Sequence, residues 1–347
     1  MSRFTQLHVL TFYPPSNLNR DDMGRPKTAV MGGEPRLRIS SQCLKRAWRT
    51  SDVFQEALQG NVGTRTKEII KEWILPHFEE GDQEKKSTIK WAQAIAGVFA
   101  KIDKKNELAT GQLVHYTPKD EARIKALAQT ISSEKRAPTA EELKGLFQDS
   151  QAVDISLFGR MLADNPSKNV DAAVQASHAL TVNRVAVEDD FFTAVDDLNA
   201  GAEDLGAGHL DENWFGSGVF YLYVNINRDL LTQNLDGDAE LAGRSVRALT
   251  EAIATVSPHG KQNSFAALSR AGYILAEKGE SQPRSLAVAF MEPIDRGHIL
   301  DQAVQRLKEQ REKLDIAYET MPDDSLHFYP ANGEGKLSNL LNFVAEA

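Results

Sequence analysis

A chain of 347 residues, 41% hydrophobic and 26% charged, holds enough apolar material for one large domain with insertions or for two domains. No apolar run approaches the roughly 20 residues a membrane-spanning helix needs, and a single cysteine, Cys43, excludes an internal disulfide and a cysteine-built zinc site. The net charge of −9 argues against nucleic acid, but residues 1–50 hold nine Lys+Arg against three Asp+Glu, about +6, which leaves about −15 for the rest.

The N-terminus, MSRFTQLHVLTFYPPS, lacks the apolar core and cleavage site of a signal peptide, so the expected location is the cytoplasm. Residues 4–12 are rich in β-formers and predict a strand that Pro14 and Pro15 end. Residues 13–39 are rich in Gly, Pro and Arg and predict a long connection with one short hairpin. Ser40 or Ser41 caps a helix over about 41–58. At about 100° per residue, Leu44, Ala47, Trp48, Phe54 and Leu58 share one side of it, and Gln42, Lys45, Arg46 and Arg49 the other.

Further along, 64–79, 86–101, 118–132 and 139–148 read as helices, and 152–157, 172–184 and 217–227 as strands. Residues 188–216 read as irregular, a loop mixing acidic, aromatic and glycine residues. Helix over 238–256, strand over 271–276, a long charged helix over 298–320 and a short amphipathic one over 338–346 complete the chain. Strands separated by helices and insertions predict an α+β fold on a mostly antiparallel sheet.

Motifs of catalysis are missing. No phosphate-cradling G-x-x-x-x-G-K-[ST], no G-x-G-x-x-G and no H-E-x-x-H occurs. His8 reads as a packed strand histidine ahead of a general base, and His178 and His209 are read the same way. The acidic groups Glu188-Asp189-Asp190, Asp196-Asp197 and Asp211-Glu212 lack an ordered ligand spacing and read as solvated charge, so no metal, cofactor or catalytic residue is assigned. The concentrated signal is cationic. Arg20, Arg25, Lys27, Arg36, Arg38, Lys45, Arg46 and Arg49 lie within thirty residues, beside Ser40, Ser41 and Gln42 at a helix N-terminus that favours anions. A phosphate-binding surface and a solvated helix face both fit that pattern.

The string Ser16-Asn17-Leu18-Asn19-Arg20-Asp21-Asp22-Met23, then Gly32-Gly33, then Arg36 through Ala47 (R-L-R-I-S-S-Q-C-L-K-R-A) resembles the CasC family, the repeated backbone subunit of the type I-E CRISPR Cascade complex. Val153-Asp154-Ile155-Ser156-Leu157-Phe158-Gly159-Arg160-Met161, then Ala176 through Thr181, Phe192 through Leu198 and Ser217 through Tyr221 continue the resemblance in order. These motifs span the first two-thirds of the chain.

The resemblance implies a hand-shaped fold. A modified RRM-like (ferredoxin-like) palm would take 1–59 and 149–347, helical fingers 60–148, and a protruding thumb about 188–216. It implies a non-catalytic protein that binds CRISPR RNA, polymerises with copies of itself in a helical filament, contacts other Cascade subunits and meets target DNA through the guide, with no membrane. By the same resemblance Arg20, Lys27, Ser40, Gln42, Lys45, Arg46 and Arg49 hold RNA, Met161 is an apolar wedge beside a kinked base step, and Phe192, Thr193, Val195 and Leu210 displace a base. The alternatives are an RRM-derived CRISPR endoribonuclease or target-cleaving backbone subunit acting through Asp196, Asp197 or Asp211, and a single-copy cap protein on one end of the RNA.

Overall fold

The computed structural model describes residues 2–82, 85–146, 151–163, 165–194 and 209–346. The strands are β1 (Phe4–Ser16), β2 (Thr28–Met31), β3 (Glu34–Ile39), β4 (Thr64–Thr66), β5 (Val114–Tyr116), β6 (Val174–Ala176), β7 (Ala179–Thr181), β8 (Glu188–Ala194), β9 (His209–Asn227), β10 (Tyr273–Gly279) and β11 (Asp324–Phe328). The helices are α1 (Ser41–Arg49), α2 (Asp52–Ala57), α3 (Lys86–Gly97), α4 (Pro118–Glu134), α5 (Ala140–Leu146), α6 (Val153–Phe158), α7 (Arg228–Asn234), α8 (Ala239–Thr255), α9 (Gln262–Phe265), α10 (Ile299–Ala317) and α11 (Leu337–Ala345). The fold is α+β. No helix among the described residues is long and apolar enough to cross a membrane.

The chain divides into two compact units. One comprises 1–54, 175–227 and 246–347; the other comprises 55–174 and 228–245.

The first unit is built on a sheet of order β11-β10-β1-β9-β7-β3-β2, to which β6 and β8 add as further partners of β9. β1 lies between β10 and β9, antiparallel to both, with Phe4 opposite Gly279 on one side and Asn227 on the other. Leu10, Tyr221, Tyr273, Leu275, Phe290, Val304 and Leu307 form the core on one face.

β1 does not stop at Pro14. The β10 ladder ends at Leu10, and the two prolines fall in the irregularity where the β9 register slips between Tyr13 and Ser16. A missing N–H is tolerated at such an irregularity. The predicted hairpin is β2–β3, closed between Met31 and Glu34 by Gly32 (φ 62°) and Gly33 (φ 81°). Positive φ at both turn residues is what a two-residue hairpin loop of type I′ requires.

A buried polar network lies within this sheet. His8 is fully buried, with Nδ1 2.9 Å from the Tyr221 hydroxyl and Nε2 3.3 Å from Glu277. Arg284 donates to both Glu277 oxygens at 3.0 and 3.2 Å, and Arg311 Nε donates to one at 2.7 Å. Asp315 accepts from Arg284 at 2.5 Å, so two carboxylates face two guanidiniums. Burial pushes the Glu277 carboxyl up, but the His8 hydrogen bond and the two guanidiniums outweigh it and hold it at about 2. Burial likewise pushes His8 down, toward the neutral ring that accepts from Tyr221 and donates to Glu277.

The second unit is mostly helical, with Ile70, Trp73, Phe99, Tyr116, Ile124 and Ile131 in its core. Tyr116 meets Trp73 and Phe99 edge-on at 5.2 and 5.1 Å. Three local expectations are corrected. Residues 64–79 open as β4, paired with β5, and continue as a π turn (Ile70–Ile74) and a 3-10 turn carrying Pro76. The helix expected over 41–58 breaks at Thr50–Ser51 into α1 and α2. Residues 152–157, read as a strand, are the buried helix α6; Val153 through Leu157 are all buried, so no periodicity marks the helix. Asp154 anchors it, accepting the Gly63 N–H at 2.8 Å and pairing with His115 at 2.6 Å.

Candidate nucleic-acid interface

The site grows from one junction in the first unit, where β3 turns into α1. Ser40 is the N-cap: its Oγ accepts the Cys43 N–H at 3.3 Å, satisfying one of the donors a helix start leaves unpaired. Its own N–H donates to Asn19 Oδ1 at 2.9 Å. The next donor, Ser41 N–H, reaches His178 Nδ1 at 3.2 Å. Burial lowers the pKa of His178, and Arg38 and Lys27 lower it further, favouring the neutral ring that this bond needs.

α1 packs Leu44, Ala47 and Trp48 inward. Gln42, Lys45, Arg46 and Arg49 follow one another at helical spacings of three, one and three, so they share a stripe on the other side. Gln42 and Arg46 are exposed, and Lys45 and Arg49 are half-buried. Burial lowers the pKa of the Lys45 ammonium.

The segment before β2 is a turn closed on itself. Asp21 N–H donates to the Arg25 carbonyl at 2.8 Å, and Asp21 Oδ1 accepts the N–H groups of Met23 and Arg25, both at 2.9 Å. Lys27 N–H returns to the Asn19 carbonyl at 2.8 Å. Arg20 and Arg46 thereby line one groove of about 570 Å³, with Asn19, Cys43 and His259. Lys27 and Arg38 line an adjoining crevice with Asn19 and Leu37.

Not every cation of the run faces outward. Arg36 is fully buried and donates to the backbone carbonyls of Thr181, Phe290 and Met291 at 3.0, 3.1 and 3.3 Å. It ties β3 to its neighbours and is withdrawn from any ligand. Arg25 lies over the Trp214 ring, 4.2 Å from its centroid.

Within the span read as irregular, 188–194 and 209–216 are strand. β8 and the first part of β9 form a continuous antiparallel ladder from Glu188–Phe215 to Ala194–His209. Phe192 stands opposite Asp211 and Thr193 opposite Leu210; Phe191 and Phe192 are exposed. Val195, Asp196 and Asp197 lie outside the described residues. Met161 belongs to the second unit, where it is 82% exposed beyond α6. Its neighbour Arg160 is fixed, bridging to Val170 and donating to the carbonyls of Lys168 and His115.

The roles of two positions escaped the sequence reading: Asn19, which holds the helix cap, and His178, read only as a packed strand histidine, which holds the next donor. Both lie inside quoted motifs, Ser16–Met23 and Ala176–Thr181, but neither carries a charge to draw attention.

Residues 5–341 match the family described as CT1975-like protein. The chain belongs to that family. The match runs well past Tyr221, where the quoted motifs end, and membership agrees with the CasC-type resemblance those motifs carried. A chain of the solved "CRISPR RNA-guided surveillance complex, pre-nicking" is 33% identical to this member, with 99% of each chain covered and a TM-score of 0.80. A chain of a "CRISPR RNA-guided surveillance complex" is 29% identical, covering 99% of this chain and 98% of that one, with a TM-score of 0.61. None of the curated proteins matches the chain significantly.

Proposed function

We propose that this CT1975-like protein is a non-catalytic, CRISPR RNA-associated backbone subunit of a type I-E Cascade complex, with several copies following one guide. The observation that carries the reading is the β3–α1 junction. A capped helix start, the stripe Gln42, Lys45, Arg46 and Arg49, and the cations Arg20 and Lys27 all belong to one unit. The likeness to chains of CRISPR RNA-guided surveillance complexes supports it. A guide varies in sequence, so a subunit that repeats along it has to hold phosphate, ribose and shape and leave the bases alone. Arginine and lysine supply charge-assisted bonds to phosphate, and Ser40 and Gln42 neutral ones. Met161, flexible and polarisable, suits contact with a displaced base step. The β8–β9 arm, bearing Phe192, Thr193 and Leu210, is the part that would reach the RNA on a neighbouring copy.

The test is charge reversal. Lys45→Glu with Arg49→Glu leaves Leu44, Ala47 and Trp48 in place, so the melting temperature should hold while RNA retention is lost. Wild-type affinity should fall linearly in log–log form with salt, by roughly 0.7 per phosphate neutralised on a single strand. The mass of the particle formed on guides of increasing length should rise in steps. Unchanged retention by the double variant in moderate salt would overturn the phosphate assignment, and one copy at every length would make the protein a cap.

A further inference from the structure

The β8–β9 arm is gripped where it leaves the sheet, and the grip uses three consecutive residues of β9. Asn213 Oδ1 accepts a hydrogen bond from the Lys261 ammonium. Trp214 carries the Arg25 guanidinium on its ring at 4.2 Å. Phe215 packs against Phe265, with ring centroids 5.9 Å apart. Successive side chains of a strand point to opposite faces. Asn213 and Phe215 are therefore held on one face, by the segment that runs into α9, and Trp214 on the other, by the turn after β1.

Both grips share a foundation. The Arg25 backbone is locked in both directions to Asp21, and Asn17 Nδ2 holds the Gly24 carbonyl at 2.9 Å. On the opposite side Gly260 presses so closely on Leu18 that a Cβ there would lie 2.2 Å from the Leu18 carbonyl oxygen. Residues 17–18 thus seat both clamps. The turn that carries Arg25 also carries Arg20 and ends at Lys27, two of the candidate phosphate ligands, and Asn19 within it holds the cap of α1.

We propose that Arg25 is a positioning residue, which fixes the angle of the arm relative to the cationic strip and takes no phosphate itself. Lys261 and Phe265 do the same from the other face. This rests on the RNA-backbone reading for its consequence, since an arm that clasps RNA on a neighbouring copy must leave its own subunit at a set angle to the RNA it holds. The bracing is a property of the free protein.

The experiment therefore has two arms, both on the full chain. Arg25→Met keeps length and removes charge; Arg25→Lys keeps charge. In the free protein, amide exchange across 189–193 and 211–215 should quicken roughly two- to fivefold in Arg25→Met, the factor a partly exposed cation–π contact supports, and much less in Arg25→Lys. Exchange in β1 and β10 should not change. On RNA, Arg25→Met should bind a short, single-copy oligonucleotide as the wild type does. On a long RNA it should lose roughly the same two- to fivefold for each added copy, with Arg25→Lys restoring most of it. Unchanged arm exchange in Arg25→Met would overturn the brace. Equal loss on the short oligonucleotide would make Arg25 a phosphate ligand and overturn its positioning role. If the wild type bound no RNA, the proposed function would fail while the exchange data still decided the brace.

Discussion

The Asn19 side-chain oxygen lies 2.9 Å from the Ser40 backbone nitrogen, so a residue of the turn after β1 holds the start of α1. Its backbone carbonyl meanwhile accepts from Lys27, which joins turn, strand and helix at one residue. Asn19→Ala should lower stability by about 1 kcal/mol, the usual net worth of one such bond, and weaken RNA retention by loosening Ser40. Asn19→Asp keeps the acceptor and should keep the stability, while its added charge still weakens retention. Urea melts and filter retention on the same samples check both; equal melts for the two variants would sink the idea.

Acid stability should fall in two stages. Burial depresses the pKa of His8, His178 and His327 below the ordinary 6.5, so the stability they contribute is full above pH 6.5 and lost as the pH falls through their folded values. Glu277 is held at about 2 against an ordinary 4.5, so its contribution is full above pH 4.5 and erodes from there toward pH 2. Melting temperatures between pH 8 and 3 should show both descents, and Glu277→Gln should flatten the lower one. Glu277→Ala, which leaves Arg284 and Arg311 with Asp315 as their one shared carboxylate, should cost roughly 3–5 kcal/mol.

The stripe of α1 was legible from the sequence because packing there follows a helical period: Leu44, Ala47 and Trp48 are inside and Gln42 and Arg46 outside. Where the period vanishes, legibility did too. Ala152 through Leu157 is buried throughout, so strand and helix look alike. Charge misled at Arg36, because a guanidinium that meets three backbone carbonyls in the core reads in sequence like one that meets phosphate. The arm looked irregular because its ladder joins residues distant in sequence, from Ala194 opposite His209 to Glu188 opposite Phe215, and no local pattern announces such a pairing.

Two adjacent glycines should respond differently to the same substitution. Gly33→Ala meets nothing within 4 Å, and its cost should be the left-handed backbone alone, about 1–2 kcal/mol. Gly32→Ala would set a Cβ 1.8 Å from the Met291 carbonyl oxygen, an acceptor of Arg36, and should cost roughly 1–3 kcal/mol more. Denaturant midpoints check the order; equal values would mean that the 286–291 segment yields freely.

Purified protein with Mg²⁺ or Mn²⁺ should leave single-stranded RNA, guide–RNA duplex and guide–DNA duplex intact. Gel analysis after prolonged incubation checks this. Cleavage that disappears in Asp196→Ala or Asp211→Ala would replace the backbone reading with the endonuclease one.

The β8–β9 ladder and the residues between its strands, 195–208, can be tested apart. β8 and β9 pair from Glu188–Phe215 to Ala194–His209, so replacing 195–208 with a short Gly/Ser linker keeps every ladder pair and the grips on Asn213, Trp214 and Phe215. That variant should melt like the wild type and bind a single-copy oligonucleotide normally, because the β3–α1 junction is untouched. Its deficit should appear only between copies. Chemical probing of the wild type on a long guide should show one reactive nucleotide recurring at a fixed interval, where a neighbour displaces a base. In the variant that period should fade, since Val195 is gone and only Phe192, Thr193 and Leu210 of the proposed base-displacing residues remain. Phe192→Ala with Leu210→Ala, in a full-length arm, should weaken the period while leaving the step in mass per copy unchanged. If the excision kept both period and stepwise assembly, the segment would not be the thumb; if it abolished short-oligonucleotide binding as well, the arm would be part of each subunit's own RNA site.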